Sequence, residues 1–292
     1  NHDHTYMYIR MLIRTTYTFT TGFPASTTAL SCDRFFCRTV SQQFGIAMST
    51  AHDTVEMVVN NILQLLPQVI KMPKHESELR KLSDEFYKYG FPNVVGALDG
   101  TGIKVMVPAS DKNDYFTYKY STNINLTALC DAKKRLLNIH VGQSERNHDS
   151  HIFRCSPLGK MILADNAIPP QFHIVADAAY GLHTNIMIPY PNKDLPDDQE
   201  RYNNIHSSTR MVIERAFGDI KNRWLRLQTM RCELSFATRM IAACCVLHNI
   251  CIDSGDITPT HIPPMSGCHV LSVRTAITKR QDILRHLTQT KE

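Results

Sequence analysis

The sequence predicts an α/β fold: a mixed sheet flanked by helices, preceded by an all-α N-terminal module. Three observations carry this. Apolar runs after residue 90 come in the order strand, strand pair, helix, strand, strand, helix, which is the pattern of a mixed sheet with helical cover. Apolar residues before that point recur at helical spacing instead. The chain has 292 residues, 43% hydrophobic and 20% charged, which suits one large domain, or a main domain with a smaller one. That composition excludes wholesale disorder.

Residues 1–27 are rich in Thr and Tyr, have no clear period and are left unassigned. Residues 28–90 read as the helical module. Leu30, Phe35, Phe36, Val40 and Phe44 lie at helical spacing, Gly45 offers a turn, and Thr50 and Asp53 stand at capping-box spacing. A second helix follows through Val55, Val58, Val59, Ile62, Leu63 and Leu66. Helix, turn and capped helix is the layout of a helix-turn-helix, and a plain helical hairpin fits the same pattern. In a helix-turn-helix, Met48, Ser49, Thr50, His52 and Asp53 would face DNA bases. A further helix, Glu76 to Tyr89, ends at Gly90 and Pro92.

Residues 91–254 read as the main domain and 255–292 as a helical tail. Val94 to Leu98 is an apolar run ending in Asp99. Asn123 to Cys130 and Arg135 to Val141 are strand-like, with Asp131 as a hairpin turn residue between them. Asp149 to Ile162 reads as one helix with Asp149 as its cap. Phe172 to Ala176 is an apolar run ending in Asp177, and Ile186 to Tyr190 is the last strand. Lys193 to Glu200 reads as an acidic loop, followed by helices over Asn203–Leu227 and Ser235–Ile252. Each apolar run is interrupted by Arg, Lys, His, Asn or Pro short of the ~18 residues of a membrane span, so no membrane helix is expected.

The nine cysteines are odd in number, form no CxxC pair and follow no secretory signal, as in a reduced intracellular protein. The chain starts at Asn1 rather than Met, as a fragment would. Cys244, His248 and Cys251 fall on one helix face. Structural zinc sites usually collect ligands from two separate elements, so these read as core residues.

Residues 201–239 carry eight Lys or Arg against three Asp or Glu, a surplus equal to the +5 of the whole chain. Such a concentration is the footprint of a polyanion-binding segment, or of a solvated helix face. Three acids stand out: Asp99 and Asp177 at the ends of apolar runs, and Glu214 at the edge of the helical face Val212, Ile213, Ala216 and Phe217. Taken singly, an Asp at a strand end suits a turn or cap, and Glu214 suits a surface pair with Arg210 or Arg215. Taken together, they suit phosphodiester cleavage assisted by hard divalent cations, which bind carboxylate oxygens.

The ordered motifs from Thr28 to Leu287 resemble PIF/Harbinger-type DDE transposases and the nucleases derived from them. They are Phe91-Pro92-Asn93-Val94-Val95-Gly96-Ala97-Leu98-Asp99-Gly100-Thr101, Asn125 to Asp131, His148 to Phe153, Ala176-Asp177-Ala178-Ala179-Tyr180, Pro189-Tyr190, Tyr202 to Ser207, Val212 to Gly218, and Leu247-His248-Asn249. The resemblance implies an RNase H-like sheet and a DDE triad, Asp99, Asp177 and Glu214, holding two ions of Mg²⁺ or Mn²⁺. It favours the helix-turn-helix, with Ser49, Thr50 and His52 on DNA bases. Arg210, Arg215, Lys221 and Arg223 become candidates for phosphate contact, although Arg210 and Arg215 could instead neutralise Glu214. It further implies a metal-dependent DNA endonuclease or transposase working with a Myb-like DNA-binding partner, as a homo-oligomer, in the nucleus by way of that partner and also in the cytoplasm. Gly102 stands where the family carries His, and Ala178-Ala179 where it carries Ser-Gly. The alternative expectation is therefore a decayed transposase that binds DNA or acts as an adaptor.

Overall fold

The computed structural model describes residues 32–107, 120–144, 149–164, 168–191, 194–256 and 276–289. Among these, one sheet is built from β1 (Val94–Val107), β2 (Tyr120–Cys130), β3 (Leu136–Ser144), β4 (His173–Val175) and β5 (Ile186–Met187). Its order is β3-β2-β1-β4-β5. The first three strands are antiparallel neighbours, while β4 and β5 run parallel to β1. The mixed sheet expected from the sequence is present.

The central strand β1 is buried on both faces at its start, which is why Val94 to Leu98 is apolar without alternation. Gly96 is needed there for close approach: a Cβ would meet Leu129 Cδ1 of β2 at 2.7 Å. The strand does not stop at Leu98. It continues for 14 residues, so Asp99 lies within β1 and not at its end. Thr101, Ile103, Val105 and Val107 extend the β-branched run and pair with β2 as far as Tyr120, which carries the ladder past the acid.

Helices cover both faces. On one side, α4 (Glu76–Phe86), α5 (Asp149–Cys155) and α6 (Pro157–Leu163) bring Leu79, Phe153, Leu158 and Ile162 onto Leu98, Leu129 and Ile174. The expected single helix over 149–162 is broken at Ser156. Pro157 cannot donate to the preceding turn, and Ser156 Oγ caps α6 by accepting from Gly159 N at 3.0 Å. Asp149 opens α5; its proposed cap rests on a side chain outside the described residues.

On the other side lie α7 (Asp197–Arg223) and α8 (Leu234–Asp253). Helix α7 starts six residues before the expected Asn203. Pro196 precedes it, and Asp197, Asp198 and Glu200 place negative charge in its first turn, where the helix dipole favours it. It ends at Arg223, with Lys221 and Arg223 in the last turn, and not at Leu227. Tyr202, His206, Thr209, Ile213, Ala216, Phe217 and Ile220 form its buried stripe. Helix α8 corrects the expectation about membrane spans, since by length and composition it is apolar enough to cross one. Most of it is instead buried in the main core. There Cys244 and Cys245 pack as small apolar residues, and burial pushes the Cys244 thiol up to about 12.

Helices α1 (Cys32–Phe44) and α2 (Met48–Gln64) meet across a turn at Gly45, where φ is +62°. The expected capping box at Thr50 and Asp53 does not form, because α2 begins three residues earlier, with Ala47 at its N-cap. Val55, Val58, Val59 and Ile62 of α2 join the main core. Arg239 of α8 secures α2 through Glu56 Oε1 at 2.6 Å and Asn60 Oδ1 at 2.8 Å. A short α3 (Leu66–Val69) follows. The C-terminal α9 (Ala276–Gln289) docks Ile283 and Leu287 into the same core. Residues 1–31, with the unassigned N-terminal segment, lie outside the described residues.

Candidate active site

The register of β1 and β4 sets the first two acids side by side. Ala97 pairs with Val175 in parallel. Asp99 lies two residues further along β1 and Asp177 just beyond the end of β4, near enough for the charge of Asp177 to act on Asp99. The period of two turns Asp99 towards the face carrying Ala97, which is the face covered by α7, and there it meets Arg210.

Asp99 is largely buried, with its side chain 18% exposed. Its Oδ1 accepts from Gly100 N at 2.8 Å, and its Oδ2 accepts from Arg210 Nη1 at 2.7 Å. Burial raises the carboxyl above its ordinary range. Gly100 N–H and Arg210 oppose that rise, while the negative charges of Glu214 and Asp177 add to it. The three acids therefore share one electrostatic site.

Asp177 is exposed just beyond β4. Its Oδ1 accepts from Ala178 N at 2.8 Å and caps a 3₁₀ turn over Ala178–Tyr180. Glu214 projects from α7, 48% exposed, with Oε1 2.6 Å from Arg210 Nη2. Arg210 is thus the bridge, one end of its guanidinium on Asp99 and the other on Glu214. The i,i+4 spacing on α7 accounts for the second contact. The first joins residues 111 apart in sequence.

Three hard oxygen donors at the edge of a sheet fit a Mg²⁺ or Mn²⁺ ion by chemistry. Among the described residues, however, no three acidic, His or Cys side chains converge closely enough to hold an ion together. The guanidinium stands between two of the three acids.

The basic candidates are placed differently from one another. Lys221 Nζ donates to Thr101 Oγ1 at 2.7 Å and to Gly102 O at 3.1 Å, two and three residues along β1 from Asp99. Arg215 lies near Tyr89, whose hydroxyl is pushed up to about 12 by burial, with Arg215 opposing. Arg223 is turned to Asp256, with Nη2 2.8 Å from its carbonyl oxygen. Ser49 and Thr50 are exposed on the first turn of α2. His52 stacks on Phe236 of α8 with ring centroids 6.3 Å apart. Thr50, Met48 and Asp53 share that exposed end of the hairpin.

Two supporting residues escaped sequence reasoning. His206 lies one turn before Arg210 on α7, and its Nε2–H donates to Met187 O at 3.0 Å. Burial lowers it to about 4, so it is a neutral donor joining α7 to β5 beneath the acids. Its signal was only its place within a family motif. Lys279 of α9 is fully buried and donates to the carbonyls of Pro170 (2.8 Å), Phe172 (2.8 Å) and Thr184 (3.0 Å). It fastens the two chain segments that lead into β4 and β5, and nothing in its sequence neighbourhood marked it.

A mixed sheet with one acid on its central strand, a second just beyond the adjacent parallel strand and a third on the covering helix suits an α/β domain of the DDE nuclease class. The family model described as "DDE superfamily endonuclease" matches residues 98–249, just over half the chain, and includes all three acids. The chain belongs to that family, in its Harbinger-type branch. It is 27% identical over 216 residues to the "Putative nuclease HARBI1" of Rattus norvegicus, covering 72% of this chain and 61% of the relative. It is 27% identical over 229 residues to the Homo sapiens protein of that name, covering 76% and 64%. It is 25% identical over 259 residues to "Protein ALP1-like" of Arabidopsis thaliana, covering 83% and 63%. The chain spans about 60% of the length of these curated relatives. No solved structure matches it.

Proposed function

We propose that this chain is a metal-dependent DNA endonuclease derived from a transposase, with an RNase H-like sheet and Asp99, Asp177 and Glu214 as its metal-holding acids. The observation that carries the proposal is the gathering of acids around Asp99 of β1: Asp177 just beyond the parallel neighbour β4 and Glu214 on α7 both bear on it electrostatically. Two bound divalent cations would supply an activated water and neutralise the leaving oxygen of a phosphodiester. The protein's own part is to fix the carboxylates: Asp99 by Gly100 N–H, Asp177 by its turn, and Glu214 by the buried stripe of α7. Arg210, Arg215 and Lys221 are the phosphate contacts nearest the acids. Arg223 joins them by leaving Asp256.

The same proposal has the α1–α2 hairpin act as a helix-turn-helix that presents Ser49, Thr50 and His52 to bases. It places the protein in the nucleus, with a Myb-like DNA-binding partner and a second copy of itself. The test is a calorimetric titration of Mn²⁺ into the wild type and Asp99→Ala, with nicking of supercoiled plasmid followed on the same samples. Binding and nicking should both be lost in the variant. A folded wild type that neither binds Mn²⁺ nor nicks would overturn the proposal.

A second reading draws on one observation: the acids are bridged by an arginine and do not converge on an ion. A chain kept for binding DNA as an adaptor would keep its hairpin and basic helix and lose cleavage. In that case Asp99→Ala would leave DNA affinity unchanged and there would be no nicking to lose.

A further inference from the structure

We infer that Arg210 is the resident counter-cation of the acid site: a divalent ion loads only by displacing its guanidinium, which couples metal loading to the arrival of a DNA phosphate. The inference rests on the nuclease reading and adds a mechanism of control to it.

Arg210 makes one contact at 2.7 Å with Asp99 and one at 2.6 Å with Glu214. Its side chain is 21% exposed, so solvent screens these contacts only in part. A metal ligand oxygen cannot serve the ion fully while it also accepts from a guanidinium, so the two cations compete for the same lone pairs.

The competition is confined to side chains. Helix α7 cannot swing away, because Ile213, Ala216 and Phe217 are buried on either side of Glu214 and Asn203 Oδ1 accepts from Tyr190 N at 2.8 Å. Loading therefore needs rotamer changes at Arg210 and at the carboxylates, which do not converge while it stands between them, motions of nanoseconds for side chains near the surface. Lys221 reaches Thr101 and Gly102, and Arg223 reaches Asp256.

Arg210 bridges two of the three carboxylates, and the negative charge of the third, Asp177, invites a further cation. The released guanidinium then needs an acceptor, and its planar fork matches two phosphate oxygens. DNA that takes up Arg210 raises the site's metal affinity, and by linkage the metal raises DNA affinity by the same factor.

The test is calorimetry of Mn²⁺ binding to the metal-depleted full chain without DNA. Arg210→Gln should bind Mn²⁺ about tenfold tighter than the wild type, because a competing unit charge is gone. Arg210→Lys, which keeps the charge but cannot span both acids, should fall between them and serves if the glutamine variant misfolds. In fluorescence anisotropy with a labelled short duplex, Mn²⁺ should raise DNA affinity more in the wild type than in Arg210→Gln. Equal or weaker Mn²⁺ binding by folded Arg210→Gln, with binding intact in the wild type and lost in Asp99→Ala, would overturn this inference and leave the nuclease reading standing. Failure of every folded form to bind Mn²⁺ would overturn both.

Discussion

Two corners of the sheet bury an aspartate among cations, and they are built in opposite ways. At the hairpin corner, Asp131 Oδ1 accepts from Lys133 N at 2.8 Å and Arg135 N at 2.9 Å. Each cation around it has its own acid: Lys133 has Glu85, Lys134 has Asp219 and Arg135 has Asp253. Asn249 of α8 closes the corner by exchanging two 2.8 Å hydrogen bonds with the backbone of Leu136. At the acid site, Asp99 and Glu214 share one arginine while Asp177 adds a third negative charge nearby. A closed set of donors and acceptors is what stability selects. A surplus of like charge weakens the fold, and it is kept where a ligand supplies the missing opposite charge. Charge balance, more than the presence of a buried acid, separates the structural corner from the functional one.

The largest expected effect lies at the closed corner. Asn249→Ala leaves the N–H and C=O of Leu136 unpaired in the core, along with the 3.1 Å bond to Val69 O. Buried groups left in this way cost roughly 1–3 kcal/mol each, and partial rehydration lowers the sum, so we expect about 3 kcal/mol of destabilisation in urea unfolding. A loss below about 1 kcal/mol would show that the corner is not a stability element, and the contrast would break.

Next in size is a pH effect at Asp131. Burial pushes its carboxyl up to about 6 from the ordinary 3.8. The folded state then holds the proton more tightly than the unfolded state, so this group's contribution to stability falls as pH rises through that interval. Compared with Asp131→Asn, the wild type should lose about 2–3 kcal/mol between roughly pH 4 and pH 6, measured by unfolding at several pH values. A pH-independent difference would mean that the two backbone donors keep the carboxylate ionised, making the corner more polar than burial implies.

Much of this contrast could be read from the sequence. The hairpin turn at Asp131, the apolar strands, the long basic helix and the core packing of Cys244 and Cys245 follow from local period and turn chemistry. The three acids stand out by their places on apolar runs and a helix face, but only the resemblance joins them into a triad, since each alone suits a cap or a surface pair, and Asp177 does cap a turn. Boundaries failed for two reasons: β1 runs through Asp99 because β2 continues beside it, a tertiary pairing, while α5 and α6 separate at Pro157, a local break within an otherwise helical period. The Arg210–Asp99 contact and the Lys279 cage were illegible because they join segments more than 90 residues apart.

The smallest effect sharpens the comparison from the other side. Glu214 is 48% exposed and pairs with Arg210, four residues earlier on α7. An exposed pair of that spacing contributes about 0.3–0.5 kcal/mol. Glu214→Gln should therefore shift the urea midpoint by no more than that amount, while plasmid nicking falls by at least about a hundredfold if Glu214 completes the metal site. A side chain that matters little to stability and greatly to turnover is what a surplus acid predicts. A stability loss as large as that of Asn249→Ala would place Glu214 with the closed corner, and the division between the two aspartate sites would no longer hold.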